Sequence, residues 1–171
     1  MEENVMMTSK RAYELKAQKK LLDKITGLGV EVGLDGNEVH IKSHSATNVL
    51  LVKNAVLAFN RGFDAAASAL LLDEAYDLAI INVGDYAGSQ KRQVELKGRV
   101  IGSRGLIKKR LSMQTACSIK ISGKTISIIG PYQNLSIAVE AVEMLLNGAK
   151  HDRVFSTINR RKLEAYSNGN S

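Results

Sequence analysis

Four residues near the middle of the chain, Gly102-Ser103-Arg104-Gly105, have the types and spacing to hold a polyanion. Glycines lack Cβ, so the main chain can lie against a sugar-phosphate backbone. The residues that follow, Leu106, Ile107, Arg110 and Leu111, fall at helical spacing and predict an amphipathic helix over 105–114. The N–H groups at the start of such a helix point at phosphate oxygens, aided by its dipole. Arg104 can bond a phosphate bidentately, and Ser103 adds a small hydroxyl. Arg99 and Lys108 are expected to flank the same edge, with Lys109 beside them and Lys120 on the next strand. Ile101, Ile107, Ile119 and Ile121 are divided between an apolar floor for bases and the core. The candidate nucleic-acid-binding set is therefore Arg99, Ile101, Gly102, Ser103, Arg104, Gly105, Ile107, Lys108, Lys109 and Lys120.

Other reactive side chains lack company. His40 and His44 lie on a predicted strand and its exit with no Cys pair or carboxylate cluster beside them, so no zinc site is expected. The lone Cys117 reads as a small buried hydrophobe. Asp73, Glu74 and Asp77 read as a solvated helix end rather than a magnesium site. No G-x-x-x-x-G-K-[ST] run or dinucleotide fingerprint occurs. The expectation is a non-enzymatic protein without cofactor or metal.

The composition agrees with a binding role. The 171 residues include 24 Lys or Arg and 17 Asp or Glu, for a net charge of +7. By segment, residues 1–63 hold 9 basic and 7 acidic side chains, 64–90 none and 5, and 91–171 hold 15 and 5. The positive field thus centres on the half containing the glycine loop, where it speeds encounter with nucleic acid. One Cys excludes an intramolecular disulfide framework. The apolar runs are too short to cross a bilayer, and the start carries acids without a long apolar stretch. These features point to a soluble protein of a reducing, intracellular compartment, taken as cytoplasmic, or nucleolar in a eukaryotic source.

The elements that must position the loop come from a repeat. Shifting the chain by 89 positions aligns 5–32 with 94–121 without a gap, pairing Val5, Lys19, Lys20, Leu22 and Thr26 with identical residues. Small adjustments then pair Gly36, Val39 and Ile41 with Gly123, Ile126 and Ile128, and Gly62 with Gly148. In the second copy, Val94–Lys97 alternates and predicts a strand, followed by the loop and its helix. Strands are predicted at 118–122 and 125–129 around a Gly123-Lys124 turn, then a long helix from Pro131 to a capping Gly148. The first copy predicts a strand at 5–8, a helix at 16–25, a hairpin at 29–32 and 38–42, and a helix at 46–60. Asp64 caps a short helix over 65–72, 78–83 is a buried strand or strand extension, and the tail 167–171 is expected to be disordered. The alignment sets Tyr13, Glu14, Leu15 and Lys16 against the glycine loop, so the first copy lacks it.

With its surroundings, the loop resembles the GXXG loop of a type I KH domain, order β-α-α-β-β-α, which clamps about four nucleotides. The fold class expected is α+β, with tandem type I KH domains of which the first is degenerate. The domains expected are 1–63, degenerate and KH-like without GXXG; 64–90, an acidic linker with a short helix and strand; 91–150, the intact KH domain; and 151–171, a basic helix and tail. Asn60-Arg61-Gly62-Phe63, Asp85-Tyr86-Ala87-Gly88-Ser89, Glu143-Met144-Leu145-Leu146-Asn147-Gly148-Ala149 and Arg160-Arg161-Lys162 extend the likeness over nearly the whole chain. Together they resemble the compact archaeal members of the Dim/Pno/Krr family of ribosome-assembly factors. That resemblance implies binding to single-stranded RNA near the 3′ end of small-subunit rRNA or its precursor, beside a PIN-domain endonuclease and other assembly factors. Two alternatives stay open, a KH adaptor in another RNA-processing pathway and a protein-interaction scaffold.

Overall fold

The computed structural model describes residues 1–168. The chain divides into two units, Met1–Leu78 and Ala79 onward. The first runs β1 Glu2–Met6, α1 Ser9–Lys16, α2 Lys19–Gly27, β2 Glu31–Asp35, β3 Glu38–Lys42 and α3 Ala46–Asn60. A short α4, Ala65–Ala69, and a 3-10 turn at Leu70–Leu72 follow. Its sheet has the order β1-β3-β2, with β3 antiparallel to both neighbours. The register sets Val5 and Leu34 on either side of Val39, so one sheet face is apolar. That face packs under Leu15, Leu21, Ile25, Val49, Val52 and Val56 from the helices, all at most 1% exposed.

The second sheet begins earlier than its own glycine loop suggests. β4, Tyr76–Asn82, straddles the division between the units and is the first strand of a sheet ordered β4-β6-β5. A 3-10 turn at Val83–Asp85 leads to α5, Gln90–Ile101; a tight turn then precedes α6, Leu106–Thr115. β5 Ser118–Ser122 and β6 Thr125–Pro131 form the hairpin, and α7 Tyr132–Leu146 and α8 His151–Asn168 complete the unit. Ile119 faces Ile128 and Ile121 faces Ile126 across the hairpin. Leu96 and Val100 from α5, Leu111 from α6, Val142 and Leu145 from α7 and Phe155 from α8 close over them. Both units therefore share the element order β-α-α-β-β-α and the edge-centre-edge strand order.

Two expectations need correction. Val94–Lys97 is helix, not strand. Ser89 Oγ accepts the Arg92 N–H at 3.2 Å and starts α5, in which Leu96 and Val100, four apart, are the buried pair while Val94 is 58% exposed. The strand of the unit lies instead in the stretch expected as an acidic linker. Ser167 and Asn168, expected in the tail, belong instead to α8, and 169–171 lie outside the described residues.

The same device closes each unit's main helix. In α3, Gly62 at φ +101 lets its N–H reach the Phe59 carbonyl at 3.0 Å and the Phe63 N–H reach Ala58 at 3.2 Å. In α7, Gly148 at φ +89 does the same for Leu145 (3.1 Å) and for Ala149 onto Met144 (2.9 Å). Both are Schellman endings. An arginine from the unit's first helix then holds the ending. Arg11 donates to the carbonyls of Phe59 (Nε, 2.8 Å) and Phe63 (2.6 Å), and Arg99 to those of Leu145 (3.1 Å) and Ala149 (2.5 Å). This pairs Arg11 with Arg99, one residue away from the gapless alignment, which sets Lys10 there.

Candidate nucleic-acid interface

α5 stops at the glycine loop because of its backbone. Gly102 has φ +72 and ψ 174, a region open essentially to glycine. A Cβ there would lie 2.3 Å from Ile107 Cγ1, 2.7 Å from Ile107 Cβ and 2.9 Å from the Ile107 backbone N. The Gly102 N–H still closes the helix on the Gly98 carbonyl at 2.8 Å. Arg104 (φ +53) and Gly105 (φ +74, ψ 13) are left-handed, and the Gly105 N–H returns to the Gly102 carbonyl at 3.2 Å. Two successive left-handed residues reverse the chain into α6 and leave the side chains of Ser103 and Arg104 exposed.

The loop is ringed by open apolar and cationic groups. Ile101 is 37% exposed and Leu106 60%, one on each side of the turn. Arg104, Lys108 and Lys109 take part in no ion pair among the described residues. The outward row of α6 is Leu106, Lys109, Arg110 and Met113; the inward row holds Leu111 and Thr115. Arg110 lies over the Phe155 ring at 3.8 Å, which fixes that guanidinium on α8. Such a surface offers close main-chain approach, positive charge outside any ion pair among the described residues, and apolar contact for bases.

The remaining candidates separate. Ile107 and Ile121 pack on the core with part of their surface open, while Ile119 is 6% exposed and belongs to the core. Arg99 does not stand free on the edge of the loop: its guanidinium is engaged by the α7 ending. Lys120 is exposed but alternates with Ile119, so it leaves β5 on the sheet face opposite the helices and loop. Leu106 joins the site although sequence reasoning missed it. Its signal lies in its neighbours at i+3 and i+4, Lys109 and Arg110, which mark the outward face.

Elsewhere His40, Asp73 and Asp77 are occupied. His40 Nδ1 pairs with Asn4 Oδ1 at 3.0 Å. Asp73 Oδ1 accepts the Ala75 N–H, and Asp77 Oδ1 accepts its successor's N–H and the Asn54 amide. Burial pushes the Cys117 thiol up from its ordinary value, the opposite of what a nucleophile requires. In the first unit the glycine loop has no counterpart. α1 runs on through Lys16 with Leu15 fully buried, and only Ala17 and Gln18 join it to α2.

A family model for the second KH domain of Pno1 proteins, described as the eukaryotic-type KH domain (KH-domain type I), matches residues 77–163. The chain belongs to this KH family, among the Dim/Pno proteins. The matched range begins within β4, in agreement with the strand order above. A KH domain-containing protein of Methanocaldococcus jannaschii is 33% identical over 147 residues, covering 84% of this chain and 65% of that protein. The RNA-binding protein pno-1 of Caenorhabditis elegans is 29% identical over 143 residues, covering 79% and 51%. This chain thus spans less than two thirds of the length of either relative. A chain in the crystal structure of an a/eIF2alpha–aDim2p–rRNA complex from Pyrococcus horikoshii superposes with a TM-score of 0.82 at 27% identity, covering 96% of this chain and 95% of that one. Among the described residues no helix is long and apolar enough to cross a membrane.

Proposed function

We propose that this Dim/Pno protein is a non-catalytic clamp for single-stranded RNA that acts in maturation of the small ribosomal subunit, at the 3′ region of its rRNA. The observation that carries the reading is the Gly102–Gly105 turn. Its backbone admits only glycine at Gly102 and exposes Ser103 and Arg104. Lys108 and Lys109, in no ion pair among the described residues, stand on the next helical turn. That is the form of a main-chain phosphate clamp rather than of an acid-base or metal centre. The presence of rRNA in the related archaeal complex supports the choice of RNA.

The chain is a tandem of two type I KH domains, and the first has lost its clamp. The shared strand order, the paired Schellman endings and the Arg11 and Arg99 grips support common ancestry of the units. With helix in place of the loop, the first domain serves packing and protein contact, a PIN-domain endonuclease and other assembly factors being the expected company. The compartment is cytoplasmic, or nucleolar in a eukaryotic source.

The test is the affinity for single-stranded RNA copying the small-subunit rRNA 3′ end, against a scrambled RNA of equal length. A preference of tenfold or more, about 1.4 kcal/mol, is expected. Equal, salt-sensitive binding would reduce the reading to a general RNA clamp. Failure to bind either RNA would sink it in favour of a protein scaffold.

A further inference from the structure

The basic helix α8 carries Arg153, Arg160, Arg161 and Lys162, and they are not equivalent. Arg160 is held by Glu164 at 2.9 Å; Arg161 is held by Glu140 at 2.9 Å and Glu164 at 3.4 Å. Lys162 is in no ion pair among the described residues. It lines a concavity of about 220 Å³ with Met113, Gln114, Gln133, Asn134 and Tyr166. Tyr166 is 72% exposed and Met113 73%, in a chain with only eight aromatic residues, five Tyr and three Phe. Gln114 Oε1 is buried and has no hydrogen-bond partner among the described residues.

We propose that this concavity receives one nucleobase of the RNA whose backbone the Gly102–Gly105 turn holds, an inference that rests on the RNA reading above. The parts match the ligand. An open tyrosine ring and a thioether offer the two apolar surfaces between which a base stacks. Three side-chain amides, from Gln114, Gln133 and Asn134, supply both donors and acceptors for base edges. A base amino or imino N–H is the kind of donor that Gln114 Oε1 lacks. Lys162 at the rim balances the adjoining phosphate. The distance also suits one strand. Gly105, the cap before α6, and Gln114, in its last turn, are nine residues apart, about 14 Å at 1.5 Å per residue. That is roughly four nucleotides at the stacked rise of 3.4 Å, and fewer when the strand is extended.

Two RNAs test the proposal, one of about four nucleotides that fills the clamp alone and one of about twelve with the same core extended on both sides. Tyr166 is exposed, so its replacement spares the fold. Tyr166→Ala is expected to weaken the long RNA by about five- to a hundredfold and leave the short one unchanged, while Tyr166→Phe keeps the long-RNA affinity. Lys162→Ala is expected to weaken the long RNA and flatten its salt dependence by about one phosphate. Unchanged binding of the long RNA by Tyr166→Ala, an equal loss on both RNAs, or a loss in Tyr166→Phe as large as in Tyr166→Ala would overturn the pocket while leaving the clamp. Wild-type protein that binds neither RNA would overturn the RNA reading and the pocket with it.

Discussion

Replacing Gly102 with alanine tests the physical basis of the loop, because its two glycines are held for different reasons. At Gly102 the backbone conformation alone costs an L-residue about 1–3 kcal/mol. The added Cβ also meets Ile107 at three atoms, the nearest 2.3 Å away, and overpacking of this kind costs about 1–3 kcal/mol. Together Gly102→Ala is expected to remove about 2–6 kcal/mol from the second unit. At Gly105 nothing lies within 4 Å of an added methyl, and φ +74 with ψ 13 is ordinary left-handed space. That penalty is about 1–2 kcal/mol, offset by about 0.4–1 kcal/mol from a less flexible unfolded chain, for a net near 1 kcal/mol. Urea unfolding followed through the amide signals of α6 measures both. Ile107→Ala in the Gly102→Ala background relieves the 2.3 Å contact but not those to Cβ and backbone N, so it returns only part of the loss. A Gly102→Ala penalty no larger than that of Gly105→Ala, or full rescue by Ile107→Ala, would refute the reasoning.

Three further outcomes are expected. Ser103→Asp with Arg104→Asp should abolish RNA binding while leaving the unfolding midpoint nearly unchanged, since both side chains are exposed; in the wild type, log K should fall with log salt at a slope of about −2 to −3.5 for three to five neutralised phosphates. Arg99→Ala should cost about 2–3 kcal/mol of stability, through lost charge-assisted bonds to the α7 ending, without altering that salt slope. Cys117 should resist thiol reagents in the folded protein. Its raised thiol pKa also means the folded state holds its proton longer, so its contribution is present below the ordinary value of 9.0 and is lost as pH rises above it; replacing Cys117 with Ala should flatten that alkaline decline in urea unfolding.

Much of the site was legible in the residues because it depends on local chemistry. Two glycines separated by two residues, followed by a helical row and flanked by cations, specify the Gly102–Gly105 turn through backbone sterics alone. The Gly123-Lys124 turn, the alternation of 118–122 and the Gly148 ending are local in the same sense, as is the absence of glycine from the first unit's α1–α2 joint. What the residues left open were contacts between distant segments. Four alternating residues, Val94–Lys97, fit a strand and one face of a helix equally well; the Ser89 cap and the burial of Leu96 with Val100 select the helix. The first strand of the second unit was then free to come from Tyr76–Asn82, across the stretch that charge alone marked as a linker. An arginine count likewise does not say which guanidinium is free. Arg99, Arg110, Arg160 and Arg161 are bound to a helix ending, a phenylalanine ring and two glutamates, while Arg104 is left open. Charge and periodicity are properties of the sequence, but whether a charge faces an RNA or a carbonyl depends on which segments the folded chain brings within about 3 Å of it.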